Sequence, residues 1–195
     1  MKHLYLFEDK DEILNEVSRI TNYEGAKAMQ KTKEGLQESN GTTYSQISTA
    51  DADTEVLDGY FEETATAVAN KLDYYIAQIG ISVDEERPIT YKVADESEDS
   101  GYVEKKGVGV AFTFLMPQNY EDTVIDLVKK NLKWAIVNGI VGSWFAVSYP
   151  EKSEYYLKKS AALTTATRDL LFRRYRPSKR VSGKDEKSTV SLRKE

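Results

Sequence analysis

Apolar and polar positions divide the chain into helical, extended and patternless stretches. The densest apolar segment lies within residues 118–177, which read as two long helices joined by a short break at Ser148-Tyr149-Pro150. In the first of these, Leu132, Trp134, Ile136, Val137, Ile140, Val141, Trp144, Phe145 and Val147 leave little polar surface. Such all-round apolarity predicts a helix buried on most sides, in its own core or against a neighbouring copy. Trp134 and Trp144 point about 80° apart on a helix that turns about 100° per residue, and at least one is expected to be largely buried. The second helix is amphipathic: Tyr156, Leu163 and Leu170 recur at seven-residue spacing, with Leu171 and Tyr175 extending the stripe. Pro150 suits its first turn, where a backbone donor is not needed.

Upstream, residues 2–7 are β-prone and predict a short strand or ordered arm. Residues 8–20 read as a helix, because Ile13, Leu14, Val17 and Ile20 fall at i, i+3, i+4 spacing and Asp9 and Asp11 stand near its start. Gly25 and the polar run 31–43 break that pattern. Residues 30–49 hold few sizeable apolar anchors and are expected to be a long loop or arm. A long helix is predicted from Thr49 or Asp51 to Ile79, stopped by Gly80, with Leu57, Phe61, Val68, Leu72, Tyr75, Ile76 and Ile79 on its apolar face. A β region follows: a short strand at 81–83, an alternating one at 88–93, and a third at 108–116, rich in β-branched and aromatic residues. The simplest pairing joins the last two as an antiparallel hairpin with the acidic stretch 95–101 as an exposed connection. Pro117 closes the last strand, and Asn119 is expected to cap the central helix.

The fold class expected from this order is helix-dominated α+β: three to four helices packed with a small antiparallel hairpin or sheet, an extended loop and a C-terminal tail. Residues 1–177 form one domain in this reading, with 30–49 as the arm, and 178–195 form a basic flexible tail. A length of 195 residues is enough for a proper core. With no cysteine there is no disulfide, zinc-thiolate site or cysteine nucleophile. With His3 the only histidine, a multi-histidine metal site or an ordinary Ser-His-Asp triad is not expected. The first eight residues turn acidic too soon for a signal peptide. The continuous apolar run 134–147 is too short for a spanning helix, so no membrane contact is predicted.

Charge changes the picture. Residues 173–195 carry nine Lys/Arg and three Asp/Glu, a net +6; the rest carries 18 and 29, a net −11. An acidic body with a basic tail can bind an acidic surface of another copy, an acidic partner, or nucleic acid; a simply solvated tail is the plain alternative. Arg173, Arg174, Arg176, Lys179 and Arg180 therefore have three readings: complements to a helix dipole, a subunit contact, or a contact with DNA phosphates.

Other candidates reduce to structure. Asp51, Asp53 and Glu55 alternate like a calcium loop, but Val56 stands where the turn glycine is needed, so they read as carboxylates at a helix N-terminus. Gly107-Val108-Gly109 precedes a strand, whereas phosphate-cradling loops follow one; these read as strand-edge glycines. Glu62-Glu63 and Glu85-Glu86 read as surface charge. In Tyr74-Tyr75 and Tyr155-Tyr156 one ring of each pair should be core and the other semi-exposed. Tyr155 beside Trp144 and Phe145 would suit an interface, against the plainer reading of core packing. No catalytic signature is present; the expectation is a non-enzyme without cofactor or metal.

The element order, the opening Lys2-His3-Leu4-Tyr5-Leu6-Phe7, the stretch from Val141 through Trp144-Phe145 to Pro150-Glu151, and the ending Leu170-Leu171-Phe172-Arg173-Arg174-Tyr175-Arg176-Pro177 together resemble head–tail connector (neck or head-completion) proteins of tailed bacteriophages. The resemblance covers most of the chain in layout and is specific over the last sixty residues or so. It implies a virion structural protein, assembled in the host cytoplasm, that forms a homo-oligomeric ring between portal and tail around the DNA channel. Its partners would be the portal protein and tail or neck proteins, with DNA phosphates as a further contact. A tail-terminator or tail-tube ring component is the alternative; a cellular nucleic-acid-binding or regulatory module using the basic tail is the alternative of another class.

Overall fold

In the computed structural model, residues 2–33, 47–49, 53–94, 102–117, 120 and 122–172 are described. They form an α+β fold dominated by helices: four helices and two small antiparallel sheets. Strand β1 (Lys2–Asp9) leads into α1 (Lys10–Lys33). The backbone amides of Asp11 and Glu12 donate to Asp9 Oδ1 at 2.9 and 3.2 Å, so the side chain that starts the helix is the one the sequence marks. The helix runs past Ile20 and through Gly25. Its buried stripe continues as Thr21, Glu24, Gly25 and Ala28, positions that keep the 3.6 period but are polar or small. That is why hydropathy ends it too early.

Helix α2 (Thr54–Leu72) buries Leu57, Phe61, Thr64, Ala65, Val68, Ala69 and Leu72. The expected extension to Ile79 is wrong. The chain tightens into a 3-10 turn at Asp73–Tyr75 and becomes strand β2 (Ile76–Ser82). Ile76 and Ile79 lie four and seven residues after Leu72, so they fit a helical stripe and an extended run alike; the β-branched and aromatic density of Tyr-Tyr-Ile and Ile-Gly-Ile decides for the strand. The predicted hairpin is also corrected. Strand β3 (Ile89–Ala94) pairs with β4 (Tyr102–Gly107), and β5 (Gly109–Met116) pairs with β1 on one side and β2 on the other. Strand β4 hides in the sequence because Glu104-Lys105-Lys106 interrupts any alternation. Gly107 and Gly109 are strand-edge glycines as read. Gly109 adopts φ +151, and a Cβ there would strike the Glu8 carbonyl, so only glycine fits this passage between ribbon and sheet.

Helix α3 (Ile125–Ser148) begins later than expected, after a 3-10 turn at Asp122–Val124 and with no side-chain cap; Asn119 lies outside the described residues. Leu132, Ala135 through Gly142 and Phe145 are buried, as its apolarity requires. Tyr149 leaves the helical conformation at φ −150, and its amide closes α3 on Phe145 O before Pro150 opens α4 (Pro150–Leu171). The face α4 buries differs from the expected leucine stripe: Ser153, Tyr156, Thr164, Thr167 and Leu171 are buried, whereas Leu163 and Leu170 are only partly covered. Small side chains let the two helices approach. Ser153 and Ser160 donate to the Gly142 and Ala135 carbonyls at 2.8 and 2.7 Å, and Gly142 lies against Leu157.

The sheet β1-β5-β2 carries the core on one face. Leu6, Phe112, Phe114 and Met116 join Val128, Leu132 and Ile136 of α3 in a single apolar cluster. On its other face the ribbon β3–β4 folds over Tyr5 and Phe7. Both tryptophans pack against the core and are partly buried there. Among the described residues no helix is long and apolar enough to cross a membrane. Of the expected arm, 30–33 belong to α1, Ile47 is a fully buried core residue, and most of the remainder lies outside the described residues, as does the acidic stretch 95–101.

Candidate functional site

The residues expected to interact fall in three environments. Phe145 is fully buried, with its ring 5.3 Å from that of Tyr156 and 5.8 Å from that of Tyr149. It cannot contact a partner and is withdrawn as a surface residue. Trp144 is half-buried, and its indole Nε1–H donates to Ile47 O at 2.8 Å, pinning the segment at 47–49 to α3. Tyr155 is 59% exposed, leaning edge-on against the buried Tyr156. Arg173, Arg174, Arg176, Lys179 and Arg180 lie outside the described residues, as does Tyr175.

Beneath Tyr155 sits a buried polar seam. Tyr156 OH donates to Glu24 Oε1 at 3.1 Å, and Lys152 Nζ stands 3.3 Å from Glu24 Oε2, which ties α1 to α4. Burial and the neighbouring Glu24 carboxylate push the Tyr156 phenol far above its usual range, so it stays a hydrogen-bond donor. A second buried acid is Glu8, on the helix-facing side of β1. It is 2% exposed, its Oε1 accepts no hydrogen bond among the described residues, and burial pushes its pKa up to about 7. Lys129 and Lys133 of α3 oppose that shift; Lys133 is held instead by Glu12 of α1 at 2.8 Å. Hydropathy reading treats Glu8 as the first polar residue after a strand; only its place in the β1–β5 register, opposite Val110, turns it inward.

Two features were not expected. A cleft of about 480 Å³ opens between the outer face of the sheet and β3, lined among others by Tyr5, Gln78, Tyr91, Lys92, Glu104 and Thr113. Lys92 Nζ lies 5.9 Å from the Tyr5 ring centre and 3.9 Å from Glu104, so cation and carboxylate largely answer each other. The other is an aromatic group where α4 meets the start of β2. Tyr75 lies edge-on to both Tyr74 and Phe172, at 5.0 and 5.5 Å, and Tyr74 and Phe172 are 82% and 59% exposed. The Tyr74-Tyr75 pair was legible as one inner and one outer ring, but Phe172 joins them only through the fold.

Asp53 and Glu55 stand at the start of α2, and Glu62, Glu63, Glu85 and Glu86 are exposed, as surface charge should be. Among the described residues, no three His, Cys, Asp or Glu side chains are grouped to hold a metal ion. Among the described residues the surface offers contact chemistry: exposed aromatic rings and a sheet edge at β2. Comparison of the chain with protein-family models, with curated proteins and with solved structures finds no match.

Proposed function

We propose that this chain is a structural protein that acts by assembling with copies of itself and with other proteins, without catalysis. The observation that carries this reading is the placement of large apolar side chains outside the core. Tyr74, Val147, Tyr155 and Phe172 are 82%, 80%, 59% and 59% exposed. Exposed apolar and aromatic side chains of this kind suit protein contacts.

The finer reading is a head–tail connector or adaptor of a tailed-phage virion: a ring around the DNA channel, meeting the portal protein on one side and tail or neck proteins on the other, with the basic sequence 173–195 docking on an acidic neighbour or on DNA phosphates. It rests on the resemblance of the stretches around Trp144 and Leu170 and on the order of elements. The experiment is electron microscopy of the purified full chain and of particles containing it. Rings of copies are the expected result. Particles in which the chain stands as an isolated monomer, touching no other copy, would overturn it.

A further inference from the structure

Strand β2 has the position of an edge and the composition of an interior strand. Among the described residues it is hydrogen-bonded on one side only, to β5. Its sequence, Ile-Ala-Gln-Ile-Gly-Ile-Ser, contains no charge and no proline, and the charge-free run extends over 74–83. Of the three longer charge-free runs, 107–120 and 134–150 supply the central strand and the core helix, and the third, 39–50, is mostly polar. Natural edge strands are usually guarded by charges, proline or a covering element. The opposite edge, β1, is guarded in this way: Glu8 and Asp9 end it, and the ribbon lies over Tyr5 and Phe7. On β2, Ala77, Gln78 and Ile79 are exposed, Ile79 at 37%; a bulge at Ala77 and the Ile89 side chain of the ribbon over Gly80 are its guards among the described residues.

We propose that β2 is the seam of a two-fold dimer, in which the β2 strands of two copies pair antiparallel and join two three-stranded sheets into one six-stranded sheet. A second copy fits this edge for two reasons. An isologous contact brings the same strand from both sides, so the unpaired N–H and C=O groups of one find their complements on the other. The body of the chain is strongly acidic, net −11 outside 173–195, so two copies repel wherever charged faces meet; at 74–83 they approach without placing like charges opposite each other. Centred on Ile79, the pairing sets the two Ile79 side chains face to face on the helix side of the sheet, the side on which Ile79 lies by its register with Phe112. One strand edge is a small interface. Tyr74 and Phe172, at the head of the strand, widen it with apolar surface that is otherwise wet.

The dimer does not follow from the connector reading: a two-fold pair closes on itself, and a ring requires a further, head-to-tail contact. The test is sedimentation equilibrium of the full chain over a concentration series, with amide hydrogen exchange of residues 77–81 read alongside. The expected result is a reversible dimer in which protection of these amides grows with concentration. Ile79→Lys and Ile79→Glu each weaken the dimer by at least roughly tenfold, because like charges then face each other across the seam. Mixing the two variants restores dimer, which neither forms alone. A monomer at every concentration with freely exchanging 77–81 amides overturns the proposal. So does a dimer indifferent to Ile79→Lys. Protection that is independent of concentration overturns it too, and assigns the edge to another segment of the same chain. The wild-type measurement needs no variant, so a misfolded substitution leaves the test standing. Rings seen by microscopy with a monomeric β2 edge would sink this seam and leave the connector reading in place.

Discussion

The central sheet is covered on both faces by aromatic stacks, and the two covers differ. On the helix side Phe112 and Phe114 lie 5.6 Å apart at 12°, at 1% and 0% exposure, sealed under the helices. On the other side Phe7 and Tyr91 stack at 3.8 Å and 4°, under a ribbon whose strand β4 is exposed along nearly its whole length. Ring geometry is as good outside as inside. The difference is water: the inner rings are dry on all sides, whereas the outer pair borders an open cleft. Burial, more than ring contact, sets the energy of each stack, since the face-to-face arrangement itself adds only about 0.5–1.5 kcal/mol.

The largest expected effect tests that directly. Phe114→Ala should cost about 3–5 kcal/mol, from lost transfer energy and the cavity left behind. Tyr91→Ala should cost about 1–2 kcal/mol, because part of the surface it gives up is already wet. Denaturant unfolding of the two variants checks both. Equal losses would mean that the ribbon is as much a part of the core as the helices.

Glu8 sharpens the same comparison, because it puts a carboxyl under the dry cover. Its folded pKa, near 7, lies above the ordinary value of 4.5. The folded state therefore holds a proton that the unfolded state gives up. Its stabilising contribution is complete below pH 4.5 and is lost as pH rises through 7, a change of about 3 kcal/mol. Glu8→Gln removes that dependence and should be the more stable form above neutrality. The Lys133–Glu12 bridge works in the opposite sense: its hydrogen bond lowers the Glu12 pKa, so its share is lost as pH falls. With the Glu12 side chain 67% exposed, that share is small. Melting curves of wild type and Glu8→Gln from pH 4.5 to 8 measure the difference; parallel curves would show that Glu8 has found a partner or solvent.

A smaller effect concerns how tightly the inner cover is built. A Cβ at Gly139 would collide with the Thr64 methyl and come within 3.2 Å of Ser160 Oγ, whose hydroxyl already bonds Ala135 O. Overpacking costs about 1–3 kcal/mol, and relief of the helical glycine returns about 1 kcal/mol. Gly139→Ala should thus destabilise by at most about 2 kcal/mol net. A stabilised variant would mean that α2, α3 and α4 can separate without loss.

What the sequence made legible follows these physical lines. The helical hairpin was readable because α3 is apolar on all sides and Pro150 marks its partner's first turn. The start of α1 was readable from Asp9, and β1 and β5 from their composition. The end of α1 was not, because its buried stripe passes to Thr21, Glu24 and Ala28. The switch from α2 to β2 was hidden by a spacing that serves both periods, and β4 by its three consecutive charges. The candidate surface was the least legible part. Phe145 is apolar beside exposed tyrosines, but which side of α3 it occupies depends on where α4 lies. Phe172 and Tyr75 are nearly a hundred residues apart and meet only in the fold.

The smallest expected effect lies in the ribbon itself. Lys92 and Glu104 sit across β3 and β4 with Nζ and Oε1 3.9 Å apart, and their side chains are 45% and 64% exposed. An exposed pair at that distance is screened by water and salt and must hold two long side chains in one geometry. A double-mutant cycle of Lys92→Ala and Glu104→Ala should give a coupling below about 0.5 kcal/mol, falling further in high salt. If the ribbon is only lightly bound, β3 and β4 should open locally without the rest of the fold, since few of their residues are buried. Their amides should then exchange faster than those of β5, and removing the pair should speed them further while leaving the protection of β5 and α3 unchanged. Amide exchange measured residue by residue decides it: a ribbon that exchanges only with global unfolding would erase the distinction between the two faces.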